Sequence, residues 1–339
     1  MKPIPCENPA APEPESDLEA GGDSGVEVRS AEVGMADHGE RLDRWLVGLA
    51  GEFSRSHLQT LIRDGHVRLG GAQGTALTTP ARRVAAGQRI SVTLMPTAES
   101  QAFRPEPMAL DIRFEDEHLI VLHKPAGLVV HPAAGNWSGT LLNGLLAHHP
   151  GAARLARAGI VHRLDKDTSG LMVVAKTLEA QTALTRLIAQ REVRREYCAL
   201  VEGQPRPDAF SIEVPIGRDP VSRVRMAVVS EASGGRSART DVTRVATTAG
   251  LSAVLCKLHT GRTHQIRVHL ASRGHPLVGD AIYGGHPALG VTRQALHAWR
   301  LSFTHPRTGQ WLSLQADLPP DLRTAWQAVT GRDRVQDGA

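Results

Sequence analysis

The chain is poor in cysteine and tyrosine, with three cysteines (Cys6, Cys198, Cys256) and two tyrosines among 339 residues. The cysteines are odd in number, far apart and form no Cys-x-x-Cys pair, which argues against a disulfide framework and a cysteine zinc site. Reduced, mostly buried thiols are expected. Long apolar runs are missing too: none approaches the ~18 residues of a membrane span. The opening MKPIPCENPAAPEPESD lacks the basic start and apolar stretch of a secretion signal. A cytoplasmic protein without membrane association is expected. No internal repeat suggests a solenoid or propeller.

What is present is unevenly placed charge. Residues 1–40 hold two basic against ten acidic side chains, net −8, leaving +12 for the rest of a chain whose total is +4. An acidic tail ahead of a basic body suits a polyanionic partner without identifying one. Residues 1–38, rich in Pro, Gly, Ala and acids, cannot bury enough apolar surface to offset chain entropy, and a disordered tail is expected there. A second is expected over 329–339.

Order is expected from near Arg41. Leu42, Trp45, Leu46 and Leu49 recur at helical spacing, and Ser54 can cap a second helix carrying Leu58, Leu61 and Ile62 that stops at Gly65. HVRLGG and GQRISVTL read as short strands. This small domain, 39–95, has eight arginines (Arg41, Arg44, Arg55, Arg63, Arg68, Arg82, Arg83, Arg89) against Asp43, Glu52 and Asp64. Guanidinium forks suit phosphate, although a merely solvated basic surface has the same composition. A linker is expected over 96–107, then a domain over 108–328. There ALDIRFED and HLIVLHKP read as paired strands, and LMVVAKT, REYCALVEG, TDVTRVATT and LSAVLCKLH as four more. TLLNGLLAHH and LEAQTALTRLIAQREV read as helices. Strands outnumber helices without alternating with them, so the fold class is α+β.

Chemistry concentrates in GIVHRLDKDTSGLMVVAK (159–176), where His162, Arg163, Asp165, Lys166 and Asp167 precede an apolar strand. For Asp167, Thr168 and Ser169 a turn bonding its own backbone suffices. Asp165, between strand-forming residues, needs a cationic partner to stay ionised away from water. Candidates lie in HTGRTHQIRVHLASRGH (259–275), where Thr263 can cap a short helix ending near Gly274. His259, His264, His269 and His275 also invite a metal, but spacings of five and six do not align ligands on one helical face. No metal is expected.

These segments together resemble the A-type large-subunit ribosomal RNA pseudouridine synthases, and among them the D type. HKPAGLVVHPAAGNWSGTLLNGLL (123–146), RREYCALVEG (194–203), TGRTHQIRVH (260–269) and HPLVGDAIYGG (275–285) agree in order, with PIGRDPVSRVRMAV and RQALHAWRLSFTHP as weaker matches. His123 stands where the family usually has Asn. Residues 41–95 resemble an S4 RNA-binding domain, a basic helix pair leading into Val-x-Leu-Gly-Gly. That resemblance implies RNA contact through Arg41, Arg44, Arg55, Arg63 and Arg68, and a catalytic domain on a mixed, largely antiparallel sheet flanked by helices.

The family resemblance implies isomerisation of uridine to pseudouridine in large-subunit rRNA or a pre-ribosomal particle, in the helix 69 stem-loop for the D type, while a C-type enzyme with other rRNA targets would share nearly every motif. It implies no cofactor and a monomer. It assigns Asp165 as the essential carboxylate, attacking ribose C1′ or removing the C2′ proton. Tyr197 would stack on the target base, Ile266 pack on the uracil, Arg267 pair with the aspartate and Arg163 assist base flipping. Tyr283 is expected to be structural. The rival readings are a metal hydrolase and a non-catalytic S4-type assembly factor; intact HRLD, REY and QIRVH segments oppose the latter.

Overall fold

Residues 27–71, 73–95, 102–133, 135–222 and 224–336 are described by a computed structural model. The chain divides into two compact units, Met1–Thr97 and Ala98–Ala339. In the first, β1 (Glu27–Glu32), α1 (Leu42–Leu49), α2 (Arg55–Arg63), β2 (Val67–Leu69), β3 (Thr75–Ala76) and β4 (Arg89–Leu94) form a helix pair and an antiparallel sheet of order β1-β4-β2-β3. Leu42, Trp45 and Leu46 of α1 pack with Leu58, Leu61 and Ile62 of α2 against Val67, Ile90 and Val92. Each such side chain contributes roughly 1.5–3 kcal/mol by leaving water. Ser54 Oγ accepts from His57 N at 3.3 Å and caps α2 as expected.

Ordered structure therefore begins before Arg41. The tail expected over 1–38 gives way to β1, while residues 1–26 lie outside the described residues. EVRSAE carries little apolar alternation because β1 is an edge strand, held by backbone pairing to β4. The linker expected over 96–107 is corrected as well. Residues 96–101 lie outside the described residues, but Ala102 is buried, and Asn143 Nδ2 donates to the carbonyls of Ala102 and Arg104 at 2.9 and 2.8 Å.

The second unit contains β5 (Asp111–Glu115), β6 (Leu119–Lys124), α3 (Leu141–His148), β7 (Ser169–Ala175), α4 (Leu178–Ala189), β8 (Arg194–Glu202), β9 (Ala209–Ile212), β10 (Ile216–Arg218) and β11 (Met226–Val228). β12 (Thr240–Thr248), β13 (Leu251–Leu258), α5 (Gln265–Ser272), β14 (Leu296–Thr304), β15 (Trp311–Gln315) and α6 (Pro320–Thr330) follow. The nine-stranded sheet runs β5-β6-β7-β14-β8-β13-β12-β9, with β15 also on β14. Its one parallel pair among the described residues is β7–β14, so it is mixed and largely antiparallel, as expected. Helix α6 corrects the tail expected over 329–339. Its Trp326 and Val329 are buried and the helix runs to Thr330, so the expected tail starts two residues later; residues 331–336 carry no helix or strand, and 337–339 lie outside the described residues. No helix among the described residues is long and apolar enough to cross a membrane.

Both faces of this sheet are covered, which is why its central strands are apolar almost throughout. Along β8, Tyr197, Ala199 and Val201 join a cluster with Leu141, Leu145, Ile266 and Leu270 from α3 and α5. Cys198 and Leu200 face the opposite way, toward Trp326 of α6. At the β7–β14 junction Gly170 has φ +122°, and a Cβ there would lie 2.3 Å from the Ala298 carbonyl oxygen. Only glycine lets the two strands meet.

His297, fully buried on β14, places Nδ1 2.9 Å from Ser169 Oγ and Nε2 3.3 Å from the Ala316 carbonyl. Burial pulls its pKa down to about 3. The unfolded chain takes up this proton near pH 6.5, whereas the folded chain resists it. Stability is thus fully present above about pH 6.5 and is lost as pH falls toward 3. Between pH 7.5 and 5 His297 alone is expected to remove about 2 kcal/mol. Urea unfolding at the two pH values checks this, and an unchanged midpoint would refute it.

Candidate active site

Asp165 lies in the turn before β7, and Thr168 N donates to its carbonyl at 3.1 Å. That turn is not self-sufficient. Arg293 Nη1 donates to the Asp167 carbonyl at 2.8 Å, Gln294 Nε2 to Thr168 Oγ1 at 3.4 Å, and Ser169 pairs with His297. The local turn expected for Asp167–Ser169 is therefore corrected: partners from beyond residue 290 hold it, which no local pattern reveals. From the other side, the fully buried Lys124 donates to the carbonyls of Pro125, Leu128 and Lys166 at 2.8, 2.9 and 2.8 Å. Burial pulls its pKa down to about 7, against the attraction of Asp167 and Asp165. Lys124 thus fixes the carbonyl of Lys166, the residue after Asp165, and the departure at His123 leaves it in place.

Opposite stands α5. Its N-cap is His264, not Thr263, and no side chain caps it. His264 adopts φ 56°, ψ 22°, a left-handed conformation costing roughly 1–3 kcal/mol in a non-glycine residue. Gln265 compensates: its Oε1 accepts from Thr260 Oγ1 and Arg262 N, and its Nε2 donates to Arg239 O and Thr240 Oγ1. This fold-back aims Arg267 at the turn. Arg267 Nη1 donates to Asp165 Oδ2 at 3.1 Å, while Nε and Nη2 form a fork on Asp280 at 2.7 and 2.9 Å. Burial opposes the Arg267 charge, but Asp280 and Asp165 overcome it and raise the pKa. The expected Asp165–Arg267 pair is present.

Asp280 was not among the expected site residues, and DAIYGG offers no local sign of its part. Tyr283, expected to be structural, stands directly behind the pair. The Arg267 guanidinium lies 5.0 Å from its ring centre, and its hydroxyl accepts from Met226 N at 2.9 Å. His264 Nδ1 lies 2.8 Å from that hydroxyl and Nε2 3.9 Å from Asp165 Oδ1. Burial keeps His264 below the ordinary imidazole range, although Asp165 pulls the other way.

Asp165 is the one carboxylate among the described residues lining a cleft of about 700 Å³. Arg163, Tyr197, Ile266 and Arg267 share its walls, so all five residues expected in the site are gathered. Arg163 is exposed at the cleft. Tyr197 is 5% and Ile266 3% exposed, and burial pushes the Tyr197 phenol up to about 12, so it stays protonated at neutral pH. Arg157, Arg191, Arg195 and Arg262 add positive charge. The cleft can hold an anion and a flat apolar group together.

The histidines weighed as metal ligands have separate partners. His259 pairs with Asp241, His269 with Thr240 and the Val214 carbonyl, and His275 with the Glu202 carbonyl. Among the described residues no group of three or more His, Cys, Asp or Glu could hold a metal ion. In the smaller unit, Arg41 and Arg55 are committed to the buried Asp43, whose pKa their hydrogen bonds lower. Arg68 Nη1 donates to the Gly74 carbonyl at 3.2 Å. Arg44 and Arg63 have only loose partners, Glu40 at 3.7 Å and Gln59 at 3.4 Å.

Comparison with known proteins agrees with this arrangement. The RNA pseudouridylate synthase family matches residues 118–272. The ribosomal large subunit pseudouridine synthase D of Neisseria meningitidis is 50% identical over 296 residues, covering 84% of this chain and 77% of that protein. Its namesake in Nitrosomonas europaea is 47% identical over 299 residues, covering 86% and 85%. An uncharacterised RNA pseudouridine synthase of Bacillus subtilis is 41% identical over 286 residues, covering 84% and 92%.

Proposed function

This chain belongs to the RNA pseudouridylate synthase family, and from that premise we propose that it converts uridines of large-subunit ribosomal RNA, in the helix 69 stem-loop, to pseudouridine with Asp165 as catalytic carboxylate. The RNA is chosen from the names of its relatives, which specify the ribosomal large subunit. The observation that carries the choice of residue is the 3.1 Å contact of Arg267 with Asp165, in a cleft where Asp165 is the lone carboxylate among the described lining residues.

Chemistry on a base in folded RNA requires its extrusion. Arg163, exposed at the cleft, occupies the vacated stack. Tyr197 stacks on the flipped uracil, worth ~1–3 kcal/mol, and Ile266 packs on the ring. Asp165, held by the hydrogen bond from Arg267 Nη1, acts on the ribose. If it attacks C1′, the glycosidic bond breaks onto an acyl link; if it removes the C2′ proton, uracil leaves a glycal. Uracil then turns and C5 bonds to C1′, as the acyl bond breaks and frees the carboxylate or as C2′ of the glycal takes back its proton from Asp165; the C5 proton is lost and N1 ends protonated. The reaction is an isomerisation in which bonds are exchanged without net oxidation. Mapping pseudouridines in rRNA from a deletion strain tests the target. Helix 69 uridines should lose the modification and regain it with the wild-type gene, whereas unchanged sites would refute the assignment.

The smaller unit would add an S4-type RNA contact. Arg44→Ala combined with Arg63→Ala should weaken RNA binding and flatten its log–log salt dependence by up to about 2. Thermal stability should not move, because neither guanidinium is tightly paired. An unaltered salt slope would exclude this contact.

A further inference from the structure

Buried arginines normally have a carboxylate or a set of carbonyls to satisfy them, as Arg267 does here. Arg195 does not. It is 6% exposed on the central strand β8, and among the described residues nothing accepts a hydrogen bond from it; its Nε is fully buried without a partner. Burial lowers its pKa, the expected consequence of a cation with no counter-charge. The side chain nevertheless lines the cleft. A Cβ on Gly261 would come within 2.7 Å of Arg195 Nη1, which places the guanidinium against the turn leading into α5.

Its surroundings add positive charge instead of cancelling it. Arg191 and Arg262 line the same cleft, and burial, with repulsion from Arg236 and Arg191, lowers the pKa of Arg262. Arg191 holds a left-handed backbone, φ 65°, at the end of the turn after α4. The single carboxylate of the cleft, Asp165, is engaged by Arg267. Arg195 and Tyr197 point to the same face of β8, about 7 Å apart along the strand. That span is comparable to the distance from a nucleotide's base to its flanking phosphate.

We propose that Arg195 is a phosphate-binding residue of the cleft, donating through its guanidinium to a phosphodiester beside the uridine whose base stacks on Tyr197. The uncompensated charge is tolerated in the free protein because the RNA backbone supplies the missing anion. This inference rests on the RNA-modifying reading above. It also accounts for the glycine at 261, where a side chain would displace the guanidinium.

Arg195→Met tests it with the full chain and a synthetic stem-loop RNA containing the mapped uridine. A structural arginine would cost stability when removed. A ligand-binding one leaves an apolar side chain in a buried site, so the melting temperature should hold or rise. RNA affinity should fall about 10- to 100-fold, the scale of a charged hydrogen-bonded contact, and the log–log salt slope should drop by about 1. Replacing one phosphate next to the uridine by a neutral methylphosphonate should weaken wild-type binding by a similar factor and leave Arg195→Met unaffected. Arg195→Lys, which keeps the charge without the fork, should keep the salt slope and lose less affinity. It serves as the test variant if the methionine protein does not fold. Unchanged affinity and slope, or equal sensitivity of both proteins to every neutral linkage, would overturn the proposal. Failure of the wild type to form pseudouridine would sink the functional reading, while these binding measurements would still decide Arg195.

Discussion

Asp165→Asn should abolish pseudouridine formation, lowering kcat/KM by about 10³-fold or more, while RNA affinity stays within a few-fold of the wild type. Asparagine is isosteric and can still accept from Arg267 Nη1, which stands 3.1 Å from Oδ2, so the cleft should keep its shape. It lacks the negative charge needed to attack C1′ or to remove a proton from C2′. Losses of this order follow removal of the group that does the chemistry. Gel-shift binding beside a tritium-release or mass-spectrometric assay separates the two effects. Persisting activity would remove Asp165 from the mechanism, and lost binding would assign it a structural part.

Asp280→Ala should be the most destabilising change near the site, at about 3–5 kcal/mol. Asp280 is 2% exposed and provides both oxygens of the Arg267 fork. Truncation leaves a buried guanidinium with Asp165 as its remaining carboxylate, and the side chain is then free to swing. Activity should therefore fall with stability, by about 10²-fold, since small displacements of positioning groups cost on that order. Denaturant melts and single-turnover rates measured at low temperature report the two losses. Asp280→Asn, which keeps the shape, should fold better yet still turn over slowly. Full activity in either variant would show that Arg267 needs no second carboxylate.

Which features could be read from the residues follows from how local their causes are. Helices α1 and α2, strands β6, β7, β8 and β13 and the cap at Ser54 are set by neighbours within a few positions. Asp165, Arg163, Tyr197, Ile266 and Arg267 were identified through motif resemblance, and the cleft gathers all five. Edge strand β1 was missed because its pairing uses backbone groups and hardly any apolar pattern. The cap expected at Thr263 lost to a long-range effect: Gln265 reaches Arg239 and Thr240 and fixes the turn. Asp280, Lys124 and Arg195 stayed hidden for one reason. Their significance lies in what surrounds a buried charge, and only distances reveal that.

The parallel pairing of β7 with β14 also carries a schedule. The ribosome completes Asp165 102 residues before Arg267, which at 5–20 residues per second is roughly 5–20 s of synthesis. Ser169 and Gly170 wait longer still for His297 and Ala298. During that interval the β14-facing edge of an apolar strand has no partner, the kind of surface that chaperones guard. No nascent fragment ending before β14 contains the finished cleft, so the enzyme gains its activity only after most of its chain has been made.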